Sequence, residues 1–288
     1  KIMSQNENIL ITGGNGFIAS ELINFLKKKK IFIITKKKIT KKYKKHKNYI
    51  CDLTNKKQTF LVIKKIKPKF VYHLAWHGIP KFNKSNFIMN KRITNNLIYA
   101  LNKIDCKKII VSGSCLEYGT SGISKKENAN INKIDNELGI QKNKIRNIFQ
   151  KKLRKDIKLI WARIFYVYGK NSRAGSLLHS IRLARLENRK DFFINNPNNL
   201  NDFIFIKDVI TALDFIKQKQ NISSIINICN EKLISNYDFV KKYFMRKKLK
   251  IDIKFMNKKK TILSGSNLKL KKLGWRQKYS LVKTFDQL

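Results

Sequence analysis

A doubly wound α/β fold built on a parallel sheet is the architecture that this 288-residue sequence predicts. Two observations predict it. Short β-rich runs alternate with helical patterns over roughly the first 165 residues, and the first of these runs passes into a glycine turn and then an amphipathic helix. The length suits one large domain with a smaller lobe leaning on it, and it is ample for a buried core. A hydrophobic content of 42% with 11% aromatics excludes a disordered chain.

Taken in order, the expected strands are 8–12, 31–35, 48–51, 70–75, 108–113 and 158–163. Helical patterns fit between them at 16–29, 55–65, 86–103 and 136–155. The six strands and their helices make a dinucleotide-type half spanning 1–169. Beyond Gly169 the pattern loosens. A helix near 175–187, a polar turn at 195–201 and mixed short elements suggest a smaller substrate lobe over 170–288, partly interleaved with the first half. The Lys-rich stretch 36–47 reads as a solvated loop or helix face.

The net charge of +46 demands a decision between partners. So basic a chain could bind nucleic acid or an anionic membrane. Yet 54 Lys stand against only 10 Arg, spread evenly, with Asn and Ile inflated alongside. AT-biased coding produces that pattern, and no basic tail or nucleic-acid motif stands out. Nucleic acid is therefore not the expected partner, although a positive field would draw in a phosphate-bearing ligand. Four scattered cysteines (Cys51, Cys106, Cys115, Cys229) form no CxxC pair, so no metal is expected. Met3 is the expected start. No apolar run approaches the roughly 20 residues that cross a bilayer, and the cytoplasm is the expected compartment.

The run from Ile9 to Ala19 (ILITGGNGFIA) is a strand, a glycine turn and a helix start in the order that cradles a pyrophosphate. Gly13 makes the turn, Gly16 lets the backbone approach a phosphate, and Ala19 is small where helix meets strand. A Rossmann dinucleotide site is the expectation. The second strand ends in Thr35-Lys36-Lys37, without the acid that would bond a ribose 2′-hydroxyl. NADP(H) is accordingly favoured over NAD(H), with Lys36 toward the 2′-phosphate.

Ordered motifs along nearly the whole chain resemble the extended short-chain dehydrogenase/reductases, the family of nucleotide-sugar epimerases, dehydratases and 4-ketoreductases. Thr12–Ala19 resembles that family's TGGxGFIG opening, Asp52-Leu53 its acid-plus-apolar pair, and His73-Leu74-Ala75 its HLA segment. Asn90, the Ser112–Gly119 stretch, Arg163–Gly169, Asn201–Val209 and Leu273-Gly274-Trp275 match further motifs. The resemblance implies cofactor contacts from Gly13, Asn15, Gly16, Phe17, Ile18, Asp52, Leu53, Leu74, Ala75, Asn90 and Lys142. It places Ser114 at the catalytic Ser/Thr, and it implies a homodimer through the two long helices.

One departure stands out. The family pattern YGxSK, which supplies a proton-transferring phenol and a lysine one helical turn later, reads Leu138-Gly139-Ile140-Gln141-Lys142 here. The YxxxK spacing recurs at six other tyrosines, none on that helix. Tyr166 and Tyr118 are the nearest substitutes, with Tyr166 the candidate at a substrate-contacting position. The Arg that precedes Asp-Phe in the family is Asn201, leaving Arg173, Arg182 or Arg185 for a diphosphate. Cys115 and Leu116 stand where dehydratases carry acids. Epimerisation or 4-ketoreduction of a nucleotide-diphosphate sugar is thus the expected activity. The alternative is a catalytically silent NAD(P)-binding sensor or partner subunit.

Overall fold

All four residues of Ile9–Thr12 are buried, which explains their unbroken apolar run: a parallel strand is covered on both faces. The computed structural model describes residues 7–37, 46–129, 134–256 and 260–288. The start of the chain and most of the Lys-rich stretch, residues 38–45, lie outside the described residues.

The first half carries strands β1 (Ile9–Thr12), β2 (Ile31–Thr35), β3 (Lys47–Ile50), β4 (Phe70–His73), β5 (Lys108–Ser114), β6 (Gly122–Lys125) and β7 (Lys158–Ile164). Beyond it come β8 (Tyr166–Tyr168), β9 (Asp191–Ile194), β10 (Leu200–Phe205), β11 (Ser224–Ile228), β12 (Leu233–Ser235), β13 (Asp252–Phe255) and β14 (Ile262–Gly265). The helices are α1 (Phe17–Phe25), α2 (Lys56–Ile66), α3 (Lys84–Asn102), α4 (Glu137–Lys152) and α5 (Leu177–Leu186). They continue with α6 (Ile206–Gln218), α7 (Asn236–Arg246), α8 (Leu268–Lys272) and α9 (Leu281–Thr284).

A seven-stranded parallel sheet, in the order β11-β7-β5-β4-β1-β2-β3, forms the centre. Successive residues of each strand feed opposite cores. Ile9, Ile11 and Ile33 point into the layer that includes α1 and α6; Leu10, Phe32 and Ile34 point into the layer under α2, α3 and α4. Asparagine, abundant in this sequence, starts three of these helices. Asn55, Asn83 and Asn136 each accept a backbone N–H of the first turn of α2, α3 and α4, at 2.9, 2.9 and 2.7 Å.

Two expectations need correction. Six strands are expected in the sheet, but it has seven: β11, short and far along the chain, pairs with β7 from Ser224 to Ile228. The turn expected at 195–201 is cut short, because Leu200 and Asn201 already pair with β12 and β14. Polar residues mislead there, since Asn201 is buried in β10 and bonded to Asn236 at 2.9 Å. The second sheet has the order β12-β10-β14-β6, with β8 on β10, and β9 pairs with β13 alone.

Candidate active site

The chain leaves β1 toward β2 and β3, then crosses back to β4 on the other side of β1. That reversal opens a crevice at the carboxyl ends of the strands, where ligands of such sheets bind. A cavity of about 370 Å³ lies there. It is lined by the turn after β1 (Gly13, Asn15, Gly16), the end of β2 (Lys36, Lys37), the segment after β3 (Asp52, Leu53, Thr54) and the segment after β4 (Leu74, Ala75, Trp76, His77).

The glycines are dictated by contacts. Gly13 has φ +75°, and a Cβ there would stand 2.8 Å from the Ala75 Cα. A Cβ on Gly16 would meet the Gly13 carbonyl oxygen at 3.1 Å. No side chain caps the start of α1, so its first-turn amides point into the turn with the positive end of the helix dipole. This cradle fits a dinucleotide pyrophosphate. Phe17 and Ile18 begin α1 and are half-buried rather than cavity-lining; the Phe17 ring lies against Gly169. Lys36 pairs with Asp52 across the ends of β2 and β3 at 3.0 Å, with both side chains open to solvent.

Asn90 acts on the loop rather than on the cavity. Its side chain accepts the His77 N–H at 2.8 Å and donates to the His77 carbonyl at 3.0 Å, pinning the segment that carries Trp76 and His77. His73 is buried at the end of β4, opposite Thr12 in register, and shares a 2.8 Å hydrogen bond with the Thr12 hydroxyl. Burial, assisted by the nearby Lys142 charge, drives its pKa down to about 3, so the ring stays neutral.

Beside this crevice, Lys142 reaches the backbone of β5 at Ser112, two residues before Ser114. Ser114 ends β5 and starts a short 3-10 turn, its Oγ accepting the Leu116 N–H at 3.2 Å. Lys142, buried on α4, donates from Nζ to the Ser112 carbonyl at 2.6 Å and lies 3.8 Å from the centre of the Trp76 ring. Burial lowers its pKa to about 7, and Glu117 is the charge that opposes the fall. Leu138 lies one turn before Lys142 on the same helix, half-buried, and offers no proton.

Neither substitute phenol is tuned for proton transfer near neutral pH. Tyr166, on β8, packs against the Phe203 ring at 5.9 Å, and burial raises its pKa well above that of a free tyrosine. Tyr118 is buried, donates to Asn227 at 2.8 Å and is likewise raised by burial. Of the expected arginines, Arg182 and Arg185 lie one turn apart on α5, and Arg182 donates to the Lys170 carbonyl; Asn201 is bonded within the lobe. Asp208 accepts the Lys278 N–H at 2.9 Å and so ties the C-terminal segment to α6. Trp76, His77 and Ile79 line the cavity beside the matched motif but carry no motif of their own. Among the described residues no cluster could hold a metal ion, and no helix is long and apolar enough to cross a membrane.

The parallel sheet with its crevice and glycine cradle at the switch point defines a dinucleotide-binding α/β protein. Residues 9–229 match the sequence model of the NAD dependent epimerase/dehydratase family, and the chain belongs to that family. It is 26% identical over 230 residues to GDP-6-deoxy-D-talose 4-dehydrogenase of Aggregatibacter actinomycetemcomitans, covering 77% of this chain and 74% of that one. It is 27% identical over 270 residues to dTDP-D-glucose 4,6-dehydratase of Dictyostelium discoideum, covering 82% of this chain but only 61% of the longer relative. Among solved structures, UDP-glucose 4-epimerase of Thermotoga maritima with UDP-glucose has the same fold: TM-score 0.84, 20% identity, 97% and 98% of the two chains covered. So has dTDP-glucose 4,6-dehydratase of Bacillus anthracis in complex with NAD: TM-score 0.83, 19% identity, 98% and 96% covered.

Proposed function

We propose that the protein is an NAD(P)-dependent 4-ketoreductase or epimerase of a nucleotide-diphosphate sugar, working without the usual phenol. The observation that carries this reading is the cradle at the switch point with Ser114 and Lys142 beside it. When bound, the dinucleotide supplies or accepts a hydride at a sugar carbon. The Gly13–Gly16 turn would hold its pyrophosphate, Lys142 its nicotinamide ribose, and Lys36 with Lys37 a 2′-phosphate, which favours NADP(H). Ser114 would hydrogen-bond the sugar oxygen. Cys115 and Leu116 supply no acid, which speaks against dehydration, and the talose 4-dehydrogenase relative points to redox chemistry at C4. The proposed assembly is a homodimer through α3 and α4.

Leu138 favours a second reading, a catalytically silent cofactor-binding protein. The two separate cleanly. Wild type and Leu138→Tyr are given NADPH or NADH and a panel of nucleotide 4-keto-sugars, and cofactor oxidation is followed together with sugar products. We expect slow turnover by the wild type, faster with NADPH. The phenol should then raise the rate by roughly 10²- to 10⁴-fold, the usual contribution of a positioned acid. NADPH binding without turnover by either protein would support the silent reading instead.

A further inference from the structure

Glu117 is wholly buried one residue before Tyr118, where a carboxylate is costly unless fully bonded. Its oxygens accept the Ser114 N–H at 2.8 Å, the Trp161 indole N–H at 2.8 and 2.9 Å, and the Arg163 Nε–H at 3.0 Å. Arg163 is buried too, 1% exposed, its guanidinium 4.3 Å from the centre of the Tyr118 ring. A buried ion pair of this kind is poor evidence of a stabilising device, because apolar residues of similar volume often serve stability as well or better. Its position is more telling. The carboxylate lies against Gly113, where a Cβ would stand 2.7 Å from Glu117 Oε1 and 2.5 Å from the Trp161 nitrogen. The flanking residues are the two anchors of the site: Ser112, whose carbonyl holds Lys142, and Ser114, whose N–H meets the carboxylate.

We propose that Glu117 is the positioning residue of this site, fixing the Ser112–Ser114 backbone from within and holding the charge of Lys142 in place. The proposal rests on the reading of Ser114 and Lys142 as the working pair. The other groups facing Lys142 offer no second carboxylate. β4 contributes His73, held neutral by burial; His77 follows Trp76, the ring that Lys142 touches; α4 itself carries Arg146 one turn on, and Arg163 of β7 is turned to Glu117. α3 carries no acid at all. Glu117 alone among these opposes the desolvation of the lysine.

Trp76 provides a reporter, because the Lys142 Nζ sits against its indole ring. The protein is labelled with 5-fluorotryptophan, and the three ¹⁹F resonances are followed against pH, with Trp76 assigned from Trp76→Phe. We expect the Trp76 resonance of the wild type to titrate with a midpoint near 7, and Lys142→Met to abolish that titration. In Glu117→Gln, which keeps the shape and loses the charge, the midpoint should fall by about one pH unit. Should the unpaired buried arginine unfold that variant, Glu117→Gln/Arg163→Met is read against Arg163→Met, so that only the carboxylate differs. A folded variant with an unmoved midpoint, or a wild-type titration that survives Lys142→Met, would overturn the proposal. No sugar is needed, so a protein silent toward every substrate still reports on Glu117.

Discussion

His73 shows how a residue that matches a motif is held by plain physics. The sequence places it at the end of a strand, and the structure buries it between Thr12 and Phe149, with ring centroids 6.1 Å apart in the second contact. Its folded pKa, about 3, lies well below the ordinary histidine value of 6.5. Between those values the unfolded chain binds a proton that the native protein refuses. The contribution of His73 is therefore complete above pH 6.5 and is lost as pH falls toward 3, with a slope of at most about 1.4 kcal/mol per pH unit. Denaturant unfolding of wild type and His73→Gln from pH 7 to 4 tests this: the wild type should lose stability relative to the variant on acidification, and parallel curves would refute it. Glu117 was out of reach of this kind of reading. The Ser114-x-x-Glu117 spacing is that of a capping box, but the burial comes from Trp161 and Arg163, the latter 46 residues away.

At the scale of elements, legibility followed locality. The first strand, glycine turn and helix are contiguous, and so is the HLA segment, which is why motifs announce them; Trp76, His77 and Ile79 just after it line the crevice with no motif to announce them. β11 could not be read this way: five residues in a loosely patterned region gain their meaning only by pairing with β7. The seating of α4 is equally non-local. Gly139 is helical, and Ala there would ordinarily favour the helix by about 1 kcal/mol. Here a Cβ would meet the Leu116 carbonyl oxygen at 2.1 Å and Ile134 at 2.7 Å, since α4 packs directly on the 3-10 turn that Ser114 starts. Gly139→Ala should thus destabilise the protein, by roughly 1–3 kcal/mol, and should disturb Ser114 and Lys142 together. A melting temperature at or above that of the wild type would show that the turn can yield.

Across the whole molecule the dominant fact is charge. With 64 Lys and Arg against 18 Asp and Glu, most cations have no acidic partner to pair with, and the folded state concentrates them. α3 and α4, the helices of the proposed dimer, expose Lys91, Arg92, Lys144 and Lys151. Mutual repulsion among surface charges reaches about 10 Å at 0.1 M salt and contracts as salt rises. Added salt should therefore raise the melting temperature. The same field attracts a multiply charged anion to the crevice, where Lys36 and Lys37 stand at the rim. Added salt should therefore weaken NADPH binding, by about tenfold between 0.05 and 0.5 M. The opposed signs make the test discriminating. Calorimetric melting and NADPH titration across one salt series should move apart. If the two rose or fell together, salt would be acting through something other than screening of this excess of lysine.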